Sequence, residues 1–157
     1  MRKIGAAAMV LSMACAGCGS APQPSAQFLE AVAAMCGKAF AGKVVANEPA
    51  QPNDPFEGQA LVMHVRTCDS PSEVKVPFHV GEDRSRTWVL TLVGDRVRLK
   101  HDHRHQDGSA DVVTMYGGDS TAAGTATRQE FPVDEFSKAM FTRENRAVSN
   151  TNVWAME

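Results

Sequence analysis

Apolar and polar residues alternate through the middle of the chain with the period of two that marks half-buried strands. Val74, Val76, Phe78 and Val80 are interleaved with Glu73 and Lys75, and Leu61, Met63 and Val65 recur in the same way within Gln59–Thr67. The Asp69-Ser70-Pro71-Ser72 stretch between them reads as a turn. A charged connection, Glu82–Arg86, leads to a strand over Thr87–Val93. Gly94-Asp95 is a two-residue hairpin signal, after which the chain returns through Arg96–His105. Asp107-Gly108 marks the next turn. Val112–Tyr116 reads as a strand, Gly117–Gly124 as a small-residue loop, and another strand runs to Phe131. Thr151–Met156 alternates once more.

Helical spacing occurs twice. Phe28, Leu29, Val32 and Met35 recur on one face of Ala26–Cys36, and Gly37 stops that helix. Pro132-Val133-Asp134 opens a second helix, with Asp134 as its cap and Phe136, Met140 and Phe141 as its apolar face. A strand around Lys38–Ala46 and a Pro-rich loop, Asn47–Pro55, join the first helix to the sheet. The pattern predicts a mainly β, β-rich α+β domain. Its core would be an antiparallel sheet, either curved or partly closed into a barrel, with an N-terminal and a C-terminal helix packed on it. No internal repeat and no second domain are visible.

The first eighteen residues follow another logic. Arg2 and Lys3 precede an apolar run, Ile4–Ala14, and then comes Cys15-Ala16-Gly17-Cys18. The run is too short to span a membrane and has the layout of a secretion signal. Its Ala-Gly-Cys ending resembles a lipobox, whose cysteine is diacylated and becomes the new amino terminus, although Cys15 stands where Leu is usual. The expected organisation is therefore a signal over residues 1–17, a tether over 18–25 anchored through Cys18, and a single domain over 26–157. Several acyl chains on one cysteine hold a protein on a membrane. By resemblance to other Gram-negative lipoproteins, Gly19 after the cysteine directs the protein to the outer membrane, facing the periplasm. The competing reading is cleavage after Ala14-Cys15-Ala16, which would release a soluble periplasmic or secreted protein.

Charge and cysteine content narrow the class. The full chain carries a formal charge of −2, and the mature chain is more acidic because Arg2 and Lys3 are lost with the signal. With no basic run either, nucleic-acid binding is not expected. After processing the domain keeps Cys36 and Cys68, and two such thiols in an exported protein predict a disulfide. A redox or metal role is the rival. The C-x-x-C spacing of Cys15 and Cys18 belongs to the sorting signal.

The sharpest candidate for chemistry is His101-Asp102-His103-Arg104-His105. On a strand, Val97, Leu99, His101, His103 and His105 share one row, apolar at first and then imidazole. Two histidines at i, i+2 can converge on one metal ion. All three cannot from a straight strand, because the outer pair lie about 13 Å apart. A site would need a further ligand such as Asp107, His64 or His79. The plainer reading has solvated imidazoles, or imidazoles satisfied by Glu82, Asp83 or Asp111, with Asp102 and Arg104 in ion pairs on the other face. Arg84 or Arg86 could turn inward to hold an anion, and Trp88, Tyr116 and Trp154 read as core or cavity lining. Gly118-Asp119-Ser120 faintly resembles a serine-protease nucleophile segment, but Thr121 replaces the required glycine and no histidine follows Ser120. No catalytic residue is assigned.

Pro77-Phe78-His79-Val80-Gly81-Glu82-Asp83-Arg84-Ser85-Arg86-Thr87-Trp88 is similar to a block of a family of small secreted or lipoprotein bacterial proteins. Leu99–Ser109, Thr114–Asp119, Glu130–Lys138 and Thr151–Ala155 resemble further blocks of it. The resemblance implies no activity and supplies no site residues. It does imply more strand-forming sequence beyond Trp154, so the sheet is expected to lack its last strands. The resulting expectation is a lipid-anchored, non-enzymatic binding or interaction module with no cofactor, whose partners are the membrane and a small ligand or an envelope protein. The alternative is a metal binder, or an enzyme using a divalent metal, built on His101, His103 and His105. A third reading is a structural envelope protein without a small ligand.

Overall fold

A computed structural model describes residues 23–48, 54–121 and 124–157. The signal, Cys15, Cys18 and most of the expected tether lie outside the described residues. Helix α1 (Pro24–Ala33) starts inside the stretch expected to be tether, because Pro24 in its first turn has a preset φ and no N–H to satisfy. Its Phe28, Leu29 and Val32 are buried, and Ser25 Oγ donates to Asp95 O at 2.5 Å.

Seven antiparallel strands form the main sheet: β1 (Ala39–Gly42), β2 (Leu61–His64), β3 (Thr67–Ser70), β4 (Glu73–Val80), β5 (Asp83–Val93), β6 (Arg96–His103) and β7 (Tyr116–Asp119). Their order is β1-β2-β4-β5-β6-β7, with β3 paired to β4. β1 and β7 are edges that no described strand joins, so the sheet is open and the barrel alternative is not adopted. After β7 come β8 (Gln129–Pro132), α2 (Glu135–Arg143), a short 3-10 helix (Ala147–Thr151) and β9 (Val153–Met156). β8 and β9 pair into a separate two-stranded ribbon.

Register explains where the core sits. Val74 lies opposite Leu90, Leu90 opposite Leu99, and Leu92 opposite Val97, so one sheet face carries an apolar belt that α1 and Phe131 cover. Burying each such side chain stabilises the fold by roughly 1.5–3 kcal/mol. Cys36 and Cys68 form a disulfide that ties the turn after α1 to β3. α2 is capped as expected: the Ser137 N–H donates to the Asp134 carboxylate at 2.8 Å.

Local boundaries differ in five places. Glu82–Arg86 is not a connection, because β5 already starts at Asp83 after a turn built on Gly81 at φ 56°. Val112–Tyr116 is not a strand: Met115 has φ 57°, Val112 is exposed, and pairing begins only at Tyr116. Gly117–Asp119, expected as loop, is the body of β7. Thr67–Ser70 adds a short strand to what read as the approach to a turn, while the first strand shrinks to Ala39–Gly42.

Candidate functional site: an aromatic cleft

Towards its far end the covered face changes from aliphatic to aromatic. Val76, Trp88 and His101 lie side by side across β4, β5 and β6, and Tyr116 of β7 sits opposite His101. One step further, Phe78, Arg86 and His103 form a second row. Apart from Val76, these rows floor a cavity of about 500 Å³. Its roof comes from Phe141 of α2, Ser149 of the 3-10 helix, Asn152 and Trp154 of β9, while Asp54 and Phe56 flank it.

The rings form two groups. Phe78 stacks on Trp88 with centroids 4.8 Å apart, and Phe56 tilts against Phe78 at 6.0 Å. Across the floor, His101 stacks on Tyr116 at 4.6 Å and tilts against Trp154 at 5.1 Å, and Phe141 backs Tyr116 at 5.2 Å. Trp88 meets His101 edge-on at 6.4 Å, joining the groups.

His101 is buried and holds its ring by donating from Nδ1 to Tyr116 O at 3.2 Å. Burial pushes its pKa down to about 4. His103, half-buried, shares a hydrogen bond between Nε2 and the Tyr116 hydroxyl at 3.0 Å. Burial lowers its pKa, helped by Arg86 and opposed by Asp111, Asp83 and Asp102. The Tyr116 phenol is raised by burial, with Arg86 and Arg146 pulling the other way.

His105 lies beyond the end of β6 and is exposed, so the row of three does not converge. His64 and His79 fall on the opposite sheet face from Phe78, and Asp107 binds Ser109 within its own turn. Among the described residues no group of three or more His, Cys, Asp or Glu side chains is arranged to hold a metal ion. Asp102 pairs with Arg104 on the same strand at 3.0 Å. Ser120 is fully buried and accepts the Val97 N–H at 3.0 Å, and Asp119 is held by Arg98 at 2.5 Å, so that segment is structural.

Of the two arginines before Trp88, Arg86 lines the cleft, whereas exposed Arg84 donates to Gly81 O at 2.5 Å. Arg86 lies over the Phe56 ring at 5.7 Å and pairs with Asp83. Sequence reasoning missed Phe56, Phe141 as a cleft residue, and Arg146. An aromatic residue directly after a polar, Pro-rich loop was a usable signal for Phe56. Arg146, in an irregular link, offered none.

No family model matches the chain, and neither a curated protein nor a solved structure matches it.

Proposed function

We propose that this chain is a non-enzymatic binding module of the cell envelope, held by lipid on Cys18 with its domain facing the periplasm. The aromatic cleft takes a small ligand with a flat, apolar body. The observation that carries this reading is the cleft: about 500 Å³, ring-lined, with a few polar groups at one end. Small-molecule sites have this build and fall between about 300 and 1,000 Å³. The charged start, apolar run and Ala-Gly-Cys of the first eighteen residues support the anchor.

The Tyr116–His103 pair supplies part of the polar lining of the cleft. Burial raises the phenol and lowers the imidazole, so the proton rests on oxygen and the pair is neutral at pH 7. The neutral pair gives a ligand a fixed polar edge inside a cavity lined mainly by rings and apolar side chains.

The chain has only two tryptophans, and both Trp88 and Trp154 line the cleft. An exported full chain carrying Cys18→Ser, recovered without lipid, is titrated with N-phenyl-1-naphthylamine while tryptophan emission is followed. Saturable quenching at micromolar concentration is expected, and Ser149→Phe, which places a ring into the cleft, abolishes it. A second, nearly apolar cavity of about 290 Å³ beside Phe28, Val32 and Met35 makes this blocking variant necessary. Quenching that survives Ser149→Phe unchanged would count against the cleft. For the anchor, wild-type protein should fractionate with membranes and Cys18→Ser should not; wild type in the soluble fraction would favour cleavage after Ala16.

A further inference from the structure

We infer that the ligand of the cleft is an anion: a small aromatic or apolar molecule bearing one carboxylate-, sulfonate- or phosphate-like group, held at the polar end by Arg86 and Arg146. The inference rests on the cleft being a binding site, and adds the chemistry of what binds there.

The polar groups of the cleft are gathered rather than scattered. Arg86 sits directly across from His103 on β6 and Phe78 on β4. His103 shares a hydrogen bond with the Tyr116 hydroxyl, and Arg146, in the link between α2 and the 3-10 helix, lines the same cavity. Arg86, Arg146 and Tyr116 line the same cavity, and both arginines draw the phenol's pKa down.

The acids around this end are already engaged. Asp83 accepts the Ser85 N–H at 2.8 Å and pairs with Arg86, and Asp54 accepts the Phe56 N–H at 2.8 Å. Asp111 accepts the Val113 N–H at 2.7 Å. Arg146 makes no side-chain hydrogen bond or ion pair among the described residues, is exposed, and lines a cavity walled mainly by rings and apolar side chains. His101 and His103 stay neutral at pH 7, so they neither add to the positive charge nor oppose it. An anionic group entering here gains a charge-assisted hydrogen bond from a free guanidinium, while its apolar body fills the space between the ring groups. A cation would meet the Arg146 guanidinium, with Arg86 already balanced by Asp83, and Asp54 as the carboxylate on the cavity wall.

The test compares matched probes on the exported Cys18→Ser chain. N-Phenyl-1-naphthylamine and 1-anilinonaphthalene-8-sulfonate share one skeleton and differ by the sulfonate; naphthyltrimethylammonium supplies the opposite charge. Tryptophan quenching is followed for each in wild type, Arg146→Gln, Arg86→Gln and Ser149→Phe. The expected result is sulfonate binding at least about tenfold tighter than the neutral probe, with the ratio falling to within about twofold in Arg146→Gln. Equal affinity for the sulfonate and neutral probes, or tighter cation binding, would overturn the anion inference while leaving a binding cleft. A sulfonate preference that persists in both arginine variants would overturn it too. Failure of all three probes to bind, or binding indifferent to Ser149→Phe, would remove the cleft itself.

Discussion

His101 has its ring among Tyr116, Trp154 and Trp88, and burial holds it neutral with a pKa of about 4. In the unfolded chain it titrates near 6.5. Between these values the unfolded state binds a proton that the folded state refuses, so stability is full above pH 6.5 and is lost as pH falls towards 4. The total is about 3 kcal/mol, at 1.36 kcal/mol per pKa unit. Urea unfolding at pH 7.5 and pH 5 should therefore differ by about 2 kcal/mol from this residue alone, and His101→Phe should flatten the profile. His103 acts in the same direction, while Asp83, drawn down to about 2 by Ser85 and Arg86 despite burial, matters only below this window. An equally steep profile in His101→Phe would mean that another group is responsible. At this scale the sequence was partly legible. Strand alternation put Val97, Leu99, His101 and His103 in one row, but only the rings delivered by α2 and β9 decide that the imidazoles are enclosed.

The disulfide between the turn after α1 and β3 is the element-scale tie, and two cysteines left once the expected signal is set aside made it readable in advance. Closing a 32-residue separation restricts the unfolded chain, and its loss costs about 3–4 kcal/mol on the chain-entropy account. The double variant Cys36→Ser/Cys68→Ser should unfold at a markedly lower temperature. Neither cysteine lines the cleft, so probe affinity at 20 °C should stay within about twofold of wild type. A large loss of affinity would show that α1 and the cleft are coupled. Elements with strong periodicity, such as β4, β6 and the two helices, followed from side-chain spacing. Val112–Tyr116 misled because apolar residues there line a loop and the cleft rather than a paired strand, with Met115 at φ 57° interrupting the pleat. Arg84 and Arg86 disguised the start of β5 because long charged side chains are tolerated on a strand whose neighbouring positions are partly solvated.

On the scale of the whole molecule, the cleft exists because two parts of the chain approach at backbone distance. The floor belongs to the main sheet, and the roof to the ribbon and helices that follow β7. Where they meet, Asp134 N donates to Gly117 O at 2.9 Å and the Gly117 N–H donates to Ser137 Oγ at 2.9 Å. A Cβ on Gly118 would lie 1.8 Å from Pro132 O, and one on Gly117 would lie 1.9 Å from Leu99 O. No side chain fits, and backbone atoms cannot swing aside as a flexible side chain would. This explains why a glycine pair that looked like loop composition is a packing surface. Gly118→Ala must push β8 and the start of α2 away from the sheet, at about 1–3 kcal/mol for a forced overpacking. Phe141 and Trp154 move with those segments, so the cleft should lose its roof. The expected signature is a modest fall in melting temperature together with at least about tenfold weaker probe binding at a temperature where the variant is still folded. The disulfide variant is the matched control, since it is destabilised at least as much with its roof intact. If Gly118→Ala and the disulfide variant bind the probe equally well, the roof is not held by this contact. If only Gly118→Ala loses binding, the fit of two backbones at one glycine is what makes an open sheet into a site.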